Sequence, residues 1–526
     1  MTTPAEHRAR PSPADLIGSE TRALGAIGDP EHPCAVVSTN PARPCETVWA
    51  AQAQPEHVDE AISRARDAQR IWASWDRDRR FEVLRRASEL FREQAEEVAT
   101  LIRDEVGKAA WDAQAEANLL ASKIDITLDR QANVGLARVT GFEVELTGSR
   151  LGRCWFRPHG VLGVIGPFNF PAHLPNGHIA PALAMGNAVV FKPSEKAPGV
   201  GQRLAELYRQ ALEDLGAPSG VLALVQGGAE TAQRLTGHPD LDGILFTGSW
   251  PVGRSILAAN LDRPSRIVAL EMGGNNAAVV MPDADLRQAA IECVRAAFAT
   301  TGQRCTCTRR LIVHSDAVDA LLPALTKAAS TLVIDDPASD LPVFMGPMIS
   351  GAARDMVLTF QRDALAGGAE PILQATPIDQ PGGGHYLTPG ILRVDRFIPE
   401  DAHEHPGCDT EVFGPLLRIS ITDSLEDAID QANATRFGLS ASIFSSGSET
   451  IERFLTGVRA GCINVNTGTA GASSKLPFGG LGLSGNHRPA GAFSLDYCAY
   501  PVAGMIERGP AATLHPGMTF DDTWLG

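Results

Sequence analysis

Long apolar runs are missing from this sequence: no window approaches the roughly 18 apolar residues that a membrane-spanning helix needs. Basic clusters are missing too. With 46 Lys and Arg against 62 Asp and Glu the formal net charge is -16, which disfavours nucleic acid and anionic membrane surfaces as partners. The same charge mildly opposes an anionic substrate. Nine cysteines are scattered along the chain without paired CxxC spacing, which argues against a disulfide framework and a zinc ribbon, so no metal is expected. Residues 1–18 hold no apolar stretch of signal-peptide length, so the expected location is cytoplasmic. No internal repeat is visible.

What is present is a globular composition, 44% hydrophobic and 21% charged, over 526 residues. That length exceeds one hydrophobic core and allows two or three domains with a cleft between them. Residues 1–45, rich in Pro, Ala and polar residues, read as a loose arm. Apolar residues at three and four residue spacing then predict three amphipathic helices over 56–75, 77–106 and 109–133. Beyond Gly160 short apolar runs alternate with helical stretches, predicting strands at 161–165, 188–191, 221–225, 244–247, 267–270 and 277–280. This βαβα order predicts a parallel sheet covered by helices, with ligands beyond the carboxyl ends of its strands. A second α/β stretch follows over 286–488, with a helix at 287–300 and strands at 310–314, 416–421 and 440–444. The tail, 492–526, contains an apolar piece at 497–505 that reads as an edge strand pairing with a neighbouring subunit.

Two thiols, Cys305 and Cys307, stand beside Gly302 after the predicted helix. Such cysteines are ordinarily small buried apolar residues. The surrounding motifs shift that reading. Gly166-Pro167-Phe168-Asn169-Phe170-Pro171, Phe191-Lys192-Pro193-Ser194-Glu195, Phe246-Thr247-Gly248-Ser249, Glu271-Met272-Gly273-Gly274-Asn275, Gly302-Gln303-Arg304-Cys305 and Glu411-Val412-Phe413-Gly414-Pro415 occur in that order. Together they resemble the landmarks of the aldehyde dehydrogenase superfamily from about 161 to 488.

The resemblance implies an α/β fold with a Rossmann-type cofactor domain over 46–137 and 159–273. An α/β catalytic domain over 274–490 and a small β oligomerisation flap over 138–158 and 491–515 complete it, assembled as a homodimer or homotetramer. It makes Cys305 the nucleophile and Cys307 a structural thiol. Sulfur attacks an aldehyde only as thiolate, so a depressed pKa or a nearby base is expected. The Asn169 amide and the Cys305 backbone N–H are the implied oxyanion hole. Glu271, just past a strand, is the implied base that activates water to cut the thioester, and its presence argues against the coenzyme A acylating branch.

An ordinary GxGxxG is absent. Instead Gly248 and Gly253 flank Ser249 and Pro251 at a strand-to-helix turn, leaving helix N-terminal N–H groups for a pyrophosphate. By resemblance Lys192 and Glu195 contact the adenine ribose, Glu411 holds the nicotinamide ribose and Phe413 packs near the ring. A carboxylate at Glu195 favours NAD over NADP.

The runs 169–178, 271–276, 302–307 and 484–489 resemble the succinylglutamate-semialdehyde dehydrogenase branch, which implies N-succinyl-glutamate 5-semialdehyde, an intermediate of arginine breakdown, as the substrate. Its two carboxylates require cationic or hydroxyl groups in the tunnel. Arg309, Arg310, His487, Arg488 and the loop 467–474 are the candidates from sequence. The longer arm and the wording Asn464-Val465-Asn466-Thr467-Gly468 depart from that branch and leave open another or broader semialdehyde specificity. A catalytically silent relative is the third reading, disfavoured because all the functional residues occur together.

Overall fold

The computed structural model describes residues 11–131, 134–402, 404–509, 512 and 514–526. The first ten residues of the expected arm, residues 132–133 of the third expected helix and residues 510, 511 and 513 of the expected flap lie outside these.

Two seven-stranded sheets organise the chain. The first runs in the order Ile267–Glu271, Gly243–Thr247, Val161–Ile165, Ala188–Lys192, Leu222–Leu224, Ala14–Ile17, Glu20–Ala23. Its first five strands are parallel. They are short apolar runs buried on both faces, which is why they read as uninterrupted rather than alternating in sequence.

The described part of 1–45, expected as a loose arm, is instead tied down. Ala14–Ile17 is buried along its length and pairs antiparallel with Leu222–Leu224, and Ala35–Asn40 forms a hairpin with Arg43–Gln52. A four-residue strand carries too little alternation to be seen by pattern. Asp15 holds it in place, since one carboxylate oxygen accepts from the Gln226 N–H at 2.7 Å and the other meets His57 Nδ1 at 2.8 Å.

Four helices stand where three were expected: His57–Ser74, Arg77–Glu93, Ala95–Val106 and Ala110–Thr127. The extra break falls at Gln94 (φ -106°), where neither Gly nor Pro marks it. These helices share one core with the first sheet and its covering helices, and the Trp72 indole donates to Leu183 O at 3.0 Å.

The chain leaves the first sheet at Glu271 and enters the second at Asn276. That sheet runs Glu370–Leu373, Gly390–Arg393, Leu416–Thr422, Thr308–His314, Asn276–Val280, Ser440–Phe444, Cys462–Val465, parallel except for its first member. A separate three-stranded antiparallel sheet joins Ala499–Glu507, Arg150–Pro158 and Phe142–Glu145. No helix among the described residues is long and apolar enough to cross a membrane.

One buried contact connects this frame to the cleft. Helix His173–Met185 begins at Ala172, whose side chain cannot cap its free N–H groups. Glu116 from another helix caps it instead, its Oε1 accepting from the Ala172 and His173 N–H groups at 3.0 Å each. Its other oxygen accepts from Lys108 Nζ at 2.6 Å, and both side chains are fully buried. Lys108 in turn lies 3.3 Å from the centroid of the Phe170 ring. Removing one partner strands a buried charge, so Glu116→Ala is expected to cost about 3–5 kcal/mol. Denaturant melts compared with the parent protein check this, and an unchanged midpoint would contradict it.

Candidate active site

The loop carrying Cys305 is built under strain. Helix Leu286–Phe298 ends at Ala299, and Thr300, Thr301 and Gly302 follow with φ of 53°, 55° and 70°. For a threonine this left-handed region costs about 1–3 kcal/mol. Compensation is local and polar. Thr300 Oγ1 donates to Asp112 at 2.5 Å, Arg304 donates to the same carboxylate at 2.8 Å, and Thr301 Oγ1 donates to Gly346 O at 2.8 Å. At Gly302 an added Cβ would also overlap the Gly414 carbonyl. The turn delivers Cys305 partly exposed and leaves Cys307 fully buried. Asn276 Nδ2 donates to the carbonyls of both, at 2.7 and 2.9 Å, and fixes their spacing.

Cys305 and Glu271 line one narrow cavity, together with Met272, Thr247, His173, His178, Lys123 and Phe478 among others. Glu271 closes the edge strand Ile267–Glu271, which the 484–486 segment covers: Met272 N–H donates to Ser484 O at 2.9 Å, and Leu270 N–H to Asn486 Oδ1 at 2.8 Å. Its Oε1 is buried with no hydrogen-bond partner, and burial holds the carboxyl well above the usual carboxylate range. Burial also pushes the Cys305 thiol up, and the Glu271 and Glu411 carboxylates push it further, against a smaller opposing pull from Arg309. The depressed thiol pKa that sequence reasoning offered as one route is therefore not found. For the other route, a neighbouring base, the cavity lining holds one carboxylate, Glu271.

Asn169 reaches the same loop. Its Nδ2 donates at 2.9 Å to the carbonyl of Gln303, two residues before Cys305, and leaves a second N–H of the same group.

The remaining sequence-predicted residues gather at the carboxyl ends of the first sheet. Gly248 N–H donates to Glu271 O at 3.0 Å, and Ser249 precedes helix Trp250–Ala259 without capping it by its side chain. An added Cβ at Gly253 would overlap Met272 Sδ, and one at Gly273 would overlap the Glu411 carboxylate. Glu411 is partly buried, accepts from Gly274 N–H at 3.0 Å, and is pushed above its usual range by desolvation. Phe413 meets Phe168 edge to face at 6.0 Å. Lys192 Nζ donates to Pro193 O and Gly227 O at 2.6 Å each and stands 3.9 Å from the half-exposed Glu195.

Comparison with known proteins agrees with this geometry. The aldehyde dehydrogenase family profile matches residues 29–501. The chain belongs to the aldehyde dehydrogenase family. It is 44% identical over 462 residues to N-succinylglutamate 5-semialdehyde dehydrogenase 1 of Caulobacter vibrioides, covering 88% of this chain and 94% of the relative. It is 40% identical over 488 residues to N-succinylglutamate 5-semialdehyde dehydrogenase of Novosphingobium aromaticivorans, covering 92% and 99%. Among solved structures it is similar to gamma-glutamyl-gamma-aminobutyraldehyde dehydrogenase from Burkholderia cenocepacia, with a TM-score of 0.86, 29% identity and coverage of 94% and 97%.

A family member uses a nicotinamide dinucleotide, and the residues present fit one. Gly248, Gly253 and Gly273 let the backbone pass close against Phe246, Met272 and Glu411, and the start of helix Trp250–Ala259, uncapped by a side chain, leaves N–H groups that suit a pyrophosphate, with the Glu411 carboxylate beside this turn. Among the described residues no group of three or more His, Cys, Asp or Glu could hold a metal ion.

Several substrate candidates from sequence do not enter the cavity of this aldehyde dehydrogenase. Arg309 is buried and donates to Gly414 O and Arg304 O, at 3.1 and 2.9 Å. Arg310 is buried and bonds the carbonyls of Asn275, Gln431, Ala432 and Ala434. Both guanidiniums tie loops to the second sheet, and Arg309 Nε is left buried without a hydrogen-bond partner. His487 and Arg488 are exposed and adopt φ of 55° and 50°. From the loop 467–474 only Ser474 lines the cavity.

Sequence reasoning missed Lys123, His173 and His178. A signal for Lys123 existed: Glu116, Leu120, Lys123 and Thr127 share the buried face of helix Ala110–Thr127, where a charged residue needs a reason. His178 bridges Tyr497 and Thr247, its Nδ1 2.7 Å from the phenol oxygen and its Nε2 3.1 Å from Oγ1.

Proposed function

We propose that this aldehyde dehydrogenase is NAD-dependent and hydrolytic, and that its substrate is N-succinyl-L-glutamate 5-semialdehyde, oxidised to N-succinyl-L-glutamate in arginine breakdown. The observation that carries the mechanism is the shared cavity of Cys305 and Glu271, with one Glu271 oxygen buried and unpaired. The names and 40–44% identity of the relatives support the substrate.

Cys305 Sγ attacks the aldehyde carbon as its thiol proton passes to water in the cavity, which leaves Glu271 free to act in the second step. The new oxyanion takes hydrogen bonds from the Asn169 amide and the Cys305 N–H. Bound nicotinamide supplies the two-electron acceptor for the oxidation. The acyl group left on Cys305 as a thioester is then attacked by water, whose proton goes to the unpaired oxygen of Glu271. A carboxylate here suits hydrolysis, because a coenzyme A thiol would need no such base.

Lys192 and Glu195 are the adenine-ribose residues in this reading, Gly248, Ser249 and Gly253 the pyrophosphate turn, and Glu411 and Phe413 the nicotinamide end. The half-exposed Glu195 carboxylate accepts from ribose hydroxyls and repels a 2′-phosphate, which supports NAD. A homodimer or homotetramer is supported by the separate sheet whose edges, Phe142–Glu145 and Ala499–Glu507, expose Phe142, Val144, Met505 and Ile506.

Cys305→Ala is expected to abolish aldehyde-dependent NADH formation while NAD still binds by calorimetry; turnover at the parental rate would refute the nucleophile. Glu271→Gln is expected to give one burst of NADH and then steady turnover lower by about 10²–10⁴-fold. Only the ionised carboxylate can accept a proton, and burial raises its pKa, so the parental kcat climbs with pH at values above the ordinary carboxylate range. That ascending limb should vanish in Glu271→Gln, and its persistence would assign the base elsewhere. Light scattering reads the assembly, and a monomeric mass would overturn the proposed oligomer.

A further inference from the structure

The catalytic cavity contains a cation that the chemistry above does not use. Lys123 lines it, is 2% exposed, and has no carboxylate partner among the described residues. Its Nζ donates to Gly491 O and Ser494 Oγ, both at 2.8 Å. An ammonium has three N–H donors, so one is left over. Burial lowers its pKa only to about 8, and the group stays charged at neutral pH. An uncompensated buried ammonium is expensive, and a chain with a net charge of -16 has many carboxylates from which a partner could have come.

His173 lines the same cavity and offers a second, independent observation. Its Nδ1 is buried with no hydrogen-bond partner. Burial and the charges of Lys123 and Lys108 hold the ring neutral, with a pKa of about 3. A neutral imidazole carries one N–H, and the tautomer with the proton on Nδ1 makes this orphan a donor. Ser474 adds a hydroxyl to the wall. Burial raises the pKa of Glu271, the one carboxylate among the cavity's lining residues, and so disfavours its charged form.

We propose that Lys123 and His173 form a carboxylate-binding subsite on the wall of the catalytic cavity, which selects aldehydes that carry a carboxylate beyond the reacting carbon. This deepens the substrate reading above and rests on it. It also answers how a strongly acidic protein accepts a dianionic aldehyde: the attraction is local, desolvated and unscreened by the surface. The arginines near the nucleophile in sequence are not among the residues lining this cavity: Arg304 pairs with Asp112, and Arg309 and Arg310 donate to backbone carbonyls.

The carboxylate could be the glutamyl α-carboxylate or the succinyl terminus, and the test separates them. Three aldehydes are compared by kcat/KM with saturating NAD: N-succinylglutamate 5-semialdehyde, N-acetylglutamate 5-semialdehyde and hexanal. For Lys123→Met, which keeps the length of the side chain and removes its charge, the preference for a carboxylated aldehyde over hexanal is expected to fall by at least about 50-fold. A fall with both acyl-glutamate semialdehydes assigns the α-carboxylate, and a fall with the succinyl compound alone assigns the succinyl terminus. A preference that does not move overturns the proposal and leaves Lys123 as a tether of the 491–494 segment. Melting temperature and NAD affinity verify folding; should Lys123→Met not fold, His173→Phe decides, with an expected fall of about fivefold and refutation if there is none. A parent enzyme with no preference for either carboxylated aldehyde would sink the substrate reading together with this one. A parent preference retained in the variant would sink this one alone.

Discussion

The structure turns on a thiol and a carboxyl group that line one narrow cavity, where desolvation works against the charge of each. Desolvation raises both the Cys305 and the Glu271 pKa, and the Glu271 carboxylate raises that of the thiol further. The charged form of each is thus disfavoured. The thiolate therefore forms only as the thiol gives up its proton for attack, rather than standing as a permanently ionised sulfur. The same low dielectric strengthens every hydrogen bond aimed at the developing oxyanion. A resting thiol is also less open to oxidation than an exposed thiolate.

Holding that pair requires contributions from distant parts of the chain. The Cys305 turn forces two threonines into left-handed backbone, and Asp112 from the helical bundle secures it through Thr300 and Arg304. Glu116, one turn further along the same helix, caps the helix that follows Asn169. Lys123, further still, enters the cavity itself. One helix, Ala110–Thr127, thus supports the nucleophile loop, the oxyanion segment and the substrate wall. On the opposite side the 484–486 segment covers the edge strand that ends in Glu271. The site is the place where both sheets and the helical bundle meet.

Much of this was legible in the residues. Parallel strands buried on both faces leave continuous apolar runs, so the strands at Val161–Ile165 and Ser440–Phe444 fall where sequence puts them. Cys305, Glu271 and Asn169 stood out through motifs, and they converge on one cavity and its adjoining loop. Other features left weak traces. Ala14–Ile17 is too short for a periodic signal, and the break at Gln94 comes from packing rather than from a breaking residue. Proximity in sequence to the nucleophile misled for Arg309 and Arg310, which point into loops of the second sheet and bond backbone there. Lys123 was hidden for the opposite reason. It is far from Cys305 in sequence, and a lysine in an amphipathic helix is ordinarily assigned to the solvent side, whereas here it shares a face with Leu120.

The central claim is that Cys305 carries the acyl group and Glu271 releases it. Intact-protein and peptide mass spectrometry of Glu271→Gln, quenched shortly after mixing with NAD and N-succinylglutamate 5-semialdehyde, tests it most directly. The account predicts one added N-succinylglutamyl group, on the peptide containing Cys305 and at its sulfur. No adduct despite NADH formation, or an adduct at Cys307 or Cys462 instead, would contradict it.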